Sequence, residues 1–209
     1  MPFDQPEALS ESQTVVLQRT TSGALRQALA AVVGVGLLTA AARIVIPLTP
    51  VPISFQTFAV LLVGALYGSR LGASTVFAYL LCGLAGMPVF AGGAAGPGVF
   101  FGPTAGYLVG FVLAAYAMGG FQEVGRGRLL FTFAGVATAT LFIYLCGIAW
   151  LAAFVGGDMK RALAAGVLPF IAPDAIKALL AVALTQPLRK PVQRWLRPTL
   201  RQHTHDANP

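Results

Sequence analysis

Two opposite charges stand three residues apart in "IAPDAIKALLAV", residues 171–182: Asp174 and Lys177, in a run that is otherwise apolar. A carboxylate and an ammonium placed together offer one acceptor and one donor at short range. That suits a solute carrying N–H groups beside a carbonyl or a carboxylate. At i and i+3 the two side chains project from the same side of a helix. The plainer reading is a structural ion pair in which Lys177 reaches outward along its stem. Acid–base catalysis is the weakest reading. It needs a second positioned group, and no other carboxylate, His or Ser-Lys dyad falls in an apolar stretch near the pair. No enzyme activity is therefore expected.

What such a pair means depends on the solvent around it, and composition settles that. The 209 residues are 56% hydrophobic and 10% charged, against about 25% charged in soluble domains. Mean hydropathy is +0.76. No charge occurs between Arg70 and Glu123, nor between Arg128 and Asp158. Since about 20 helical residues cross the hydrocarbon core, stretches of that length predict membrane spans. An ionisable group at mid-membrane costs about 2.5–3.5 kcal/mol on insertion scales and usually faces a cavity or a partner. The composition thus turns Asp174 and Lys177 into a candidate cavity floor.

Gly, Pro and charges divide the chain into six expected spans. They run from about Ala24 to Ile46, Ser54 to Tyr67, Arg70 to Gly86, Thr104 to Gly119, Leu129 to Val155, and Pro173 to just before Arg189. Six spans put both termini on one side with the "GSR" turn and the 120–128 loop. That side holds Arg19, Arg26, Arg70, Arg126, Arg128, Arg189, Lys190, Arg194, Arg197 and Arg201; the other holds only Arg43, Lys160 and Arg161. By the positive-inside rule the first side is cytoplasmic. The formal charge of +7 then reflects topology, not nucleic-acid binding. Residues 1–22 read as a flexible cytoplasmic tail without a signal-peptide core. Residues 23–189 form the membrane domain, and residues 190–209 a basic membrane-surface tail.

The connections on the other side are unusual. "IPLTPVPISFQTF" is a proline-stiffened, extended lid that places Gln56 at the start of the second span, with Arg43 one turn before it. Arg43 is placed either to meet an anion or to anchor the interface. "AGGAAGPGVFFGPTAGY" is too rich in Gly and Pro for an ordinary helix and too apolar for a solvated loop. It lacks the Gly-Lys of a phosphate loop. Irregular backbone at membrane depth belongs where it lines a cavity or is buried. The first span carries small residues four apart, Ala24 and Ala28, Ala30 and Gly34, and Gly36 and Ala40, spacing that permits close helix approach or self-association. Cys82 and Cys146 sit within apolar runs, and His203 and His205 on the tail do not predict a metal site. No cofactor is expected.

Three segments together, "VPISFQTFAVLLVGALYGSRLG", "GMPVFAGGAAGPGVFFGPTAGYLVGF" and "PDAIKA", resemble the signatures of the BioY family, the biotin-specific substrate-binding (S) components of energy-coupling factor (ECF) transporters. The resemblance covers about Ala24 to Arg189. It implies an all-α integral membrane protein with six transmembrane helices in the ECF S-component fold, both termini cytoplasmic. It implies biotin binding and uptake in the cytoplasmic membrane. The implied partners are a transmembrane coupling protein and two cytoplasmic ATP-binding-cassette subunits. Asp174 and Lys177 become ligand residues: Asp174 accepts from a ureido N–H, and Lys177 donates to the ureido carbonyl or the carboxylate. Phe90, Gly92, Gly93 and Tyr107 of the second loop, with Gln56 of the first, close over the vitamin, and Arg43 lies near its carboxylate. Ala24, Ala28, Ala30 and Gly34 become the docking face for the coupling protein. Some relatives carry a polar side chain in the third-helix loop, whereas this chain has none from Phe90 to Gly96. The alternatives are an S component for another vitamin such as thiamin, and an ATP-independent secondary transporter.

Overall fold

A computed structural model describes residues 6–196, with side-chain surroundings from residue 23 onward. The two-histidine motif and Arg197 and Arg201 lie outside the described residues. Among the described residues seven α-helices follow one another: α1 (Pro6–Arg43), α2 (Gln56–Tyr67), α3 (Ser69–Leu84), α4 (Ala105–Val124), α5 (Leu129–Phe154), α6 (Met159–Gly166) and α7 (Ile171–Leu196). Strands β1 (Val45–Ile46) and β2 (Ile53–Ser54) pair antiparallel between α1 and α2. The helix α1 is continuous across residue 22, where a tail was expected to end. No proline falls between Pro6 and Arg43, so nothing in the backbone interrupts the hydrogen-bond ladder. At the other end α7 runs on past Arg189, through Pro187 and Pro191.

Among the described residues, four helical stretches are long and apolar enough to cross a membrane: Gly23–Arg43, Ala105–Val124, Leu129–Phe154 and Met159–Leu196. The chain is a multi-pass membrane protein. Apolar side chains such as Val32, Val33, Phe77, Leu130 and Leu141 point outward, as lipid-facing positions must. The helices α2 and α3 have 12 and 16 residues, so α2 is only about 18 Å long, short of the hydrocarbon core. Its place explains its length. Residues Gln56 to Leu66 are all buried, and α1, α3, α4 and α7 surround the helix. Lipid does not bathe it, so lipid does not set its length.

Close helix approach holds this bundle together, because lipid supplies no hydrophobic drive between helices. A Cβ at Gly64 would stand 2.6 Å from the Ala115 carbonyl, so α2 and α4 touch backbone to backbone there. The sharp α2–α3 turn at Gly68 (φ 87°) is sealed by Glu123 of α4. Its carboxylate accepts from the Ser69 amide and hydroxyl, both at 2.9 Å. This supplies the amide partner that the start of α3 lacks. The α2–α3 turn, the α4–α5 turn and the end of α7 gather at this end of the bundle. The β-hairpin, the 85–104 segment and α6 gather at the other.

Candidate ligand site

At the hairpin end the elements enclose a cavity of about 280 Å³, close to the lower bound of small-molecule sites at roughly 300 Å³. Five aromatic rings line it: Phe90, Tyr107, Phe111, Tyr144 and Phe170. The polar lining comes from Ser54, Gln56, Thr57, Thr104 and Asp174, and Asp174 is the one charged residue among them. An apolar box with one carboxylate selects a largely apolar solute that donates at one point.

The carboxylate is held from two sides. Asp174 and Lys177 lie one turn apart on α7 and are 7% and 4% exposed. Lys177 Nζ stands 2.7 Å from Asp174 Oδ1, and the Tyr144 hydroxyl of α5 donates to Oδ2 at 2.8 Å. A buried charge without such partners would be costly. Lys177 is not part of the cavity lining. It sits behind Asp174, where it neutralises and orients the carboxylate, and its expected direct contact with a ligand finds no support in its position. An ionised carboxylate has about four acceptor positions, so Asp174 keeps acceptor capacity toward the cavity. Phe111, Phe170 and Thr104 of the lining were missed by sequence reasoning, and so was Tyr144. Its signal was a lone phenol in a very apolar span.

The second loop forms the lid as two 3-10 turns, Ala91–Gly93 and Pro97–Phe101. Phe90 is 2% exposed and meets Tyr79 and Phe100 edge-on, at centroid distances of 5.4 and 5.7 Å. Gly83 leaves the space that the Phe90 ring occupies. Ala91 and Ala94 face the cavity, whereas Gly92 and Gly93 do not. Their φ values of 65° and 86° identify them as turn glycines. Trp150 of α5 donates to the Gly102 carbonyl at 2.9 Å and ties the lid to the wall.

Arg43 also lies outside the lining. Its guanidinium donates to the Pro88 carbonyl and lies against Gly93, so it clamps the lid to α1 instead of facing a ligand carboxylate. Gln56 does line the cavity, but much of its amide is engaged. Ser54 donates to its Oε1 at 2.8 Å, its Nε2 donates to the Tyr79 hydroxyl at 2.6 Å, and that hydroxyl donates to the Val89 carbonyl at 2.8 Å. The relay joins the hairpin, α3 and the lid. Tyr107 lines the opposite wall, where its hydroxyl donates to the Gly166 carbonyl at 2.8 Å and its ring stacks on Phe170. Gly147 leaves the room that ring needs.

The small residues of α1 divide between two faces. Ala30 and Gly34 turn inward: a Cβ at Gly34 would stand 2.6 Å from Thr75 Cγ2 and 3.0 Å from the Tyr67 ring. They make an internal contact, which corrects their expected place on a docking face. Ala24, Ala28, Gly36 and Ala40 are exposed. With Val32 they form a stripe at four-residue spacing.

A protein-family model described as the BioY family matches residues 12–194. A probable biotin transporter BioY of Pyrococcus horikoshii is 39% identical over 155 residues, 74% of this chain and 91% of that protein. The biotin transporter BioY of Thermotoga maritima is 36% identical over 166 residues, 79% of this chain and 97% of that protein. Among solved structures, the S component for biotin from an ECF-type ABC transporter superposes with a TM-score of 0.76. It is 26% identical and covers 83% of this chain and 96% of that one.

Proposed function

The chain belongs to the BioY family, and we propose that it binds biotin in the hairpin-end cavity and serves biotin uptake as the S component of an ECF-type ABC transporter. The observation that carries the assignment is Asp174, a held carboxylate in an otherwise uncharged aromatic box. Biotin's ureido ring presents two N–H donors, its thiophane ring and valerate chain are apolar, and a carboxylate closes the far end. Asp174 accepts from a ureido N–H, with the Tyr144 hydroxyl oxygen as a second acceptor beside it. Phe90, Tyr107, Phe111 and Phe170 sandwich the rings and chain. The valerate carboxylate points toward Thr104 and the positive N-terminal end of α4, since Arg43 is engaged with the lid.

The relatives are named transporters, not enzymes, and the intramembrane-enzyme reading gives way. Six spans, with α2 and α3 as the two short ones, put the cavity at the outer face and both termini in the cytoplasm. That orientation follows the Arg and Lys excess at the opposite end. The membrane is the cytoplasmic membrane, and the domain runs from residue 23 to 189 between the two tails. The chain carries no ATP-binding motif, so a coupling protein and two cytoplasmic ATP-binding-cassette subunits supply the energy. The exposed stripe of Ala24, Ala28, Gly36 and Ala40 is where the coupling protein docks.

Competition in detergent tests the ligand. Labelled biotin on the purified chain should be displaced by unlabelled biotin and not by thiamin. Displacement by thiamin, or no retention of label, would move the assignment to another vitamin.

A further inference from the structure

Biotin is an acid, yet the cavity offers its carboxylate no cation. Among the described residues, the cations at the hairpin end are Arg43, Lys160, Arg161 and Lys177, and none of them lines the cavity. Lys177 stands on Asp174 at 2.7 Å, the Arg43 guanidinium donates to the Pro88 carbonyl, and Lys160 and Arg161 are exposed on α6. The charge inside is the Asp174 carboxylate, which repels a second anion in the same low-dielectric space. Burying an ionised carboxylate without a cation is costly. An acid group therefore gains nothing from depth in this cavity.

The exposure of the lining places the two ends of a ligand. Asp174, Phe111 and Ile143 are buried, whereas Thr104 is half-buried and Ala94 of the lid is exposed. With the ureido ring on Asp174, the tail of the vitamin ends on the Thr104 side. Thr104 stands at the start of α4, but its hydroxyl makes no capping bond, so it keeps a donor for the ligand. A hydroxyl donates to the carbonyl of an amide as it does to a carboxylate. The start of α4 favours an anion by only about two- to fivefold at an exposed position. Nothing at this end is built to read a full negative charge.

We infer that the cavity recognises the ureido ring and the apolar chain of its ligand and not the charge of the tail. The inference rests on the assignment of the cavity to biotin and widens the ligand class beyond the free acid. The class includes the uncharged primary amide of the vitamin, whose tail has the same shape and puts no second anion beside Asp174.

Displacement of labelled biotin from the purified full chain tests this, with unlabelled biotin and biotin amide as competitors on the wild type and on Arg43→Gln. The amide is isosteric with the acid and should compete within about fivefold of it, the range left to the helix end. Arg43→Gln should shift both competitors alike, because Arg43 acts through the lid. An amide weaker than biotin by more than fivefold would overturn the inference and make the site an acid receptor. So would a loss in Arg43→Gln confined to the free acid, which would put the guanidinium on the carboxylate. Failure of the wild type to retain labelled biotin is a different result: it removes the biotin assignment itself, and the inference with it.

Discussion

The Tyr144 hydroxyl on α5 donates to Oδ2 of Asp174 on α7 at 2.8 Å, a bond across two helices that fixes where the cavity's one charge points. With Lys177 on the other oxygen, the carboxylate is oriented before any ligand arrives. Preorganisation of this kind lowers the ordering cost of binding.

Removing that bond should loosen the carboxylate without emptying the cavity. Tyr144→Phe keeps the ring and deletes the hydroxyl. The expected outcome is weaker biotin binding by about tenfold, near 1.4 kcal/mol, the scale of one hydrogen bond to a charged group. Calorimetric titration checks it, and unchanged affinity would leave Tyr144 as plain wall.

Lys177 is assigned to holding Asp174, so its loss should be felt first as instability. Lys177→Met leaves a buried carboxylate without its cation and should destabilise by about 3–5 kcal/mol. Adding Asp174→Asn should recover much of that stability, while biotin binding is weakened by loss of the carboxylate. Thermal unfolding in detergent, beside biotin titration, separates the two readouts. If the double variant unfolds as early as Lys177→Met alone, the pair is not what sets the cost.

The division of small residues on α1 gives opposite outcomes for two glycines. Gly34→Leu forces a side chain into Thr75 and Tyr67 and should destabilise the fold by about 1–3 kcal/mol or more. Nothing lies within 4 Å of a Cβ at Gly36, so Gly36→Leu should leave folding and biotin binding intact. It should weaken co-purification with the coupling protein. Normal assembly by Gly36→Leu would move the docking face elsewhere.

The Trp150 bond to the Gly102 carbonyl is the lid's tie to α5. Trp150→Phe should speed biotin release by roughly fivefold, the loss of about 1 kcal/mol, with little change in the association rate. A release assay with labelled biotin reads it directly.

The chain's punctuation made the long elements legible. Leu129 was expected to open a span and does open α5. The "GSR" turn and the irregular 87–107 segment also fall where prolines and glycines interrupt helix. Asp174 and Lys177 stood out because charge is rare in such a sequence. What they face was not readable: spacing puts them on one side of α7 but says nothing about which side lines the cavity. Tyr144 was hidden for the same reason, since the pairing of α5 with α7 is set by tertiary packing. Arg43 had two plausible partners in sequence, an anion or the interface, and met a third, the Pro88 carbonyl. Ala30 and Gly34 look like Ala24 and Ala28 in sequence. Lipid and neighbouring helix are equally apolar, so a small-residue pattern carries no sign of inside or outside.

Biotin titration of the wild-type chain beside Asp174→Asn, both checked for intact folding, tests the central claim most directly. Tight binding by the wild type and a loss of roughly 10- to 100-fold in the variant is the predicted result. Equal affinity in the two chains would contradict it, reducing Asp174 to a structural partner of Lys177 and Tyr144.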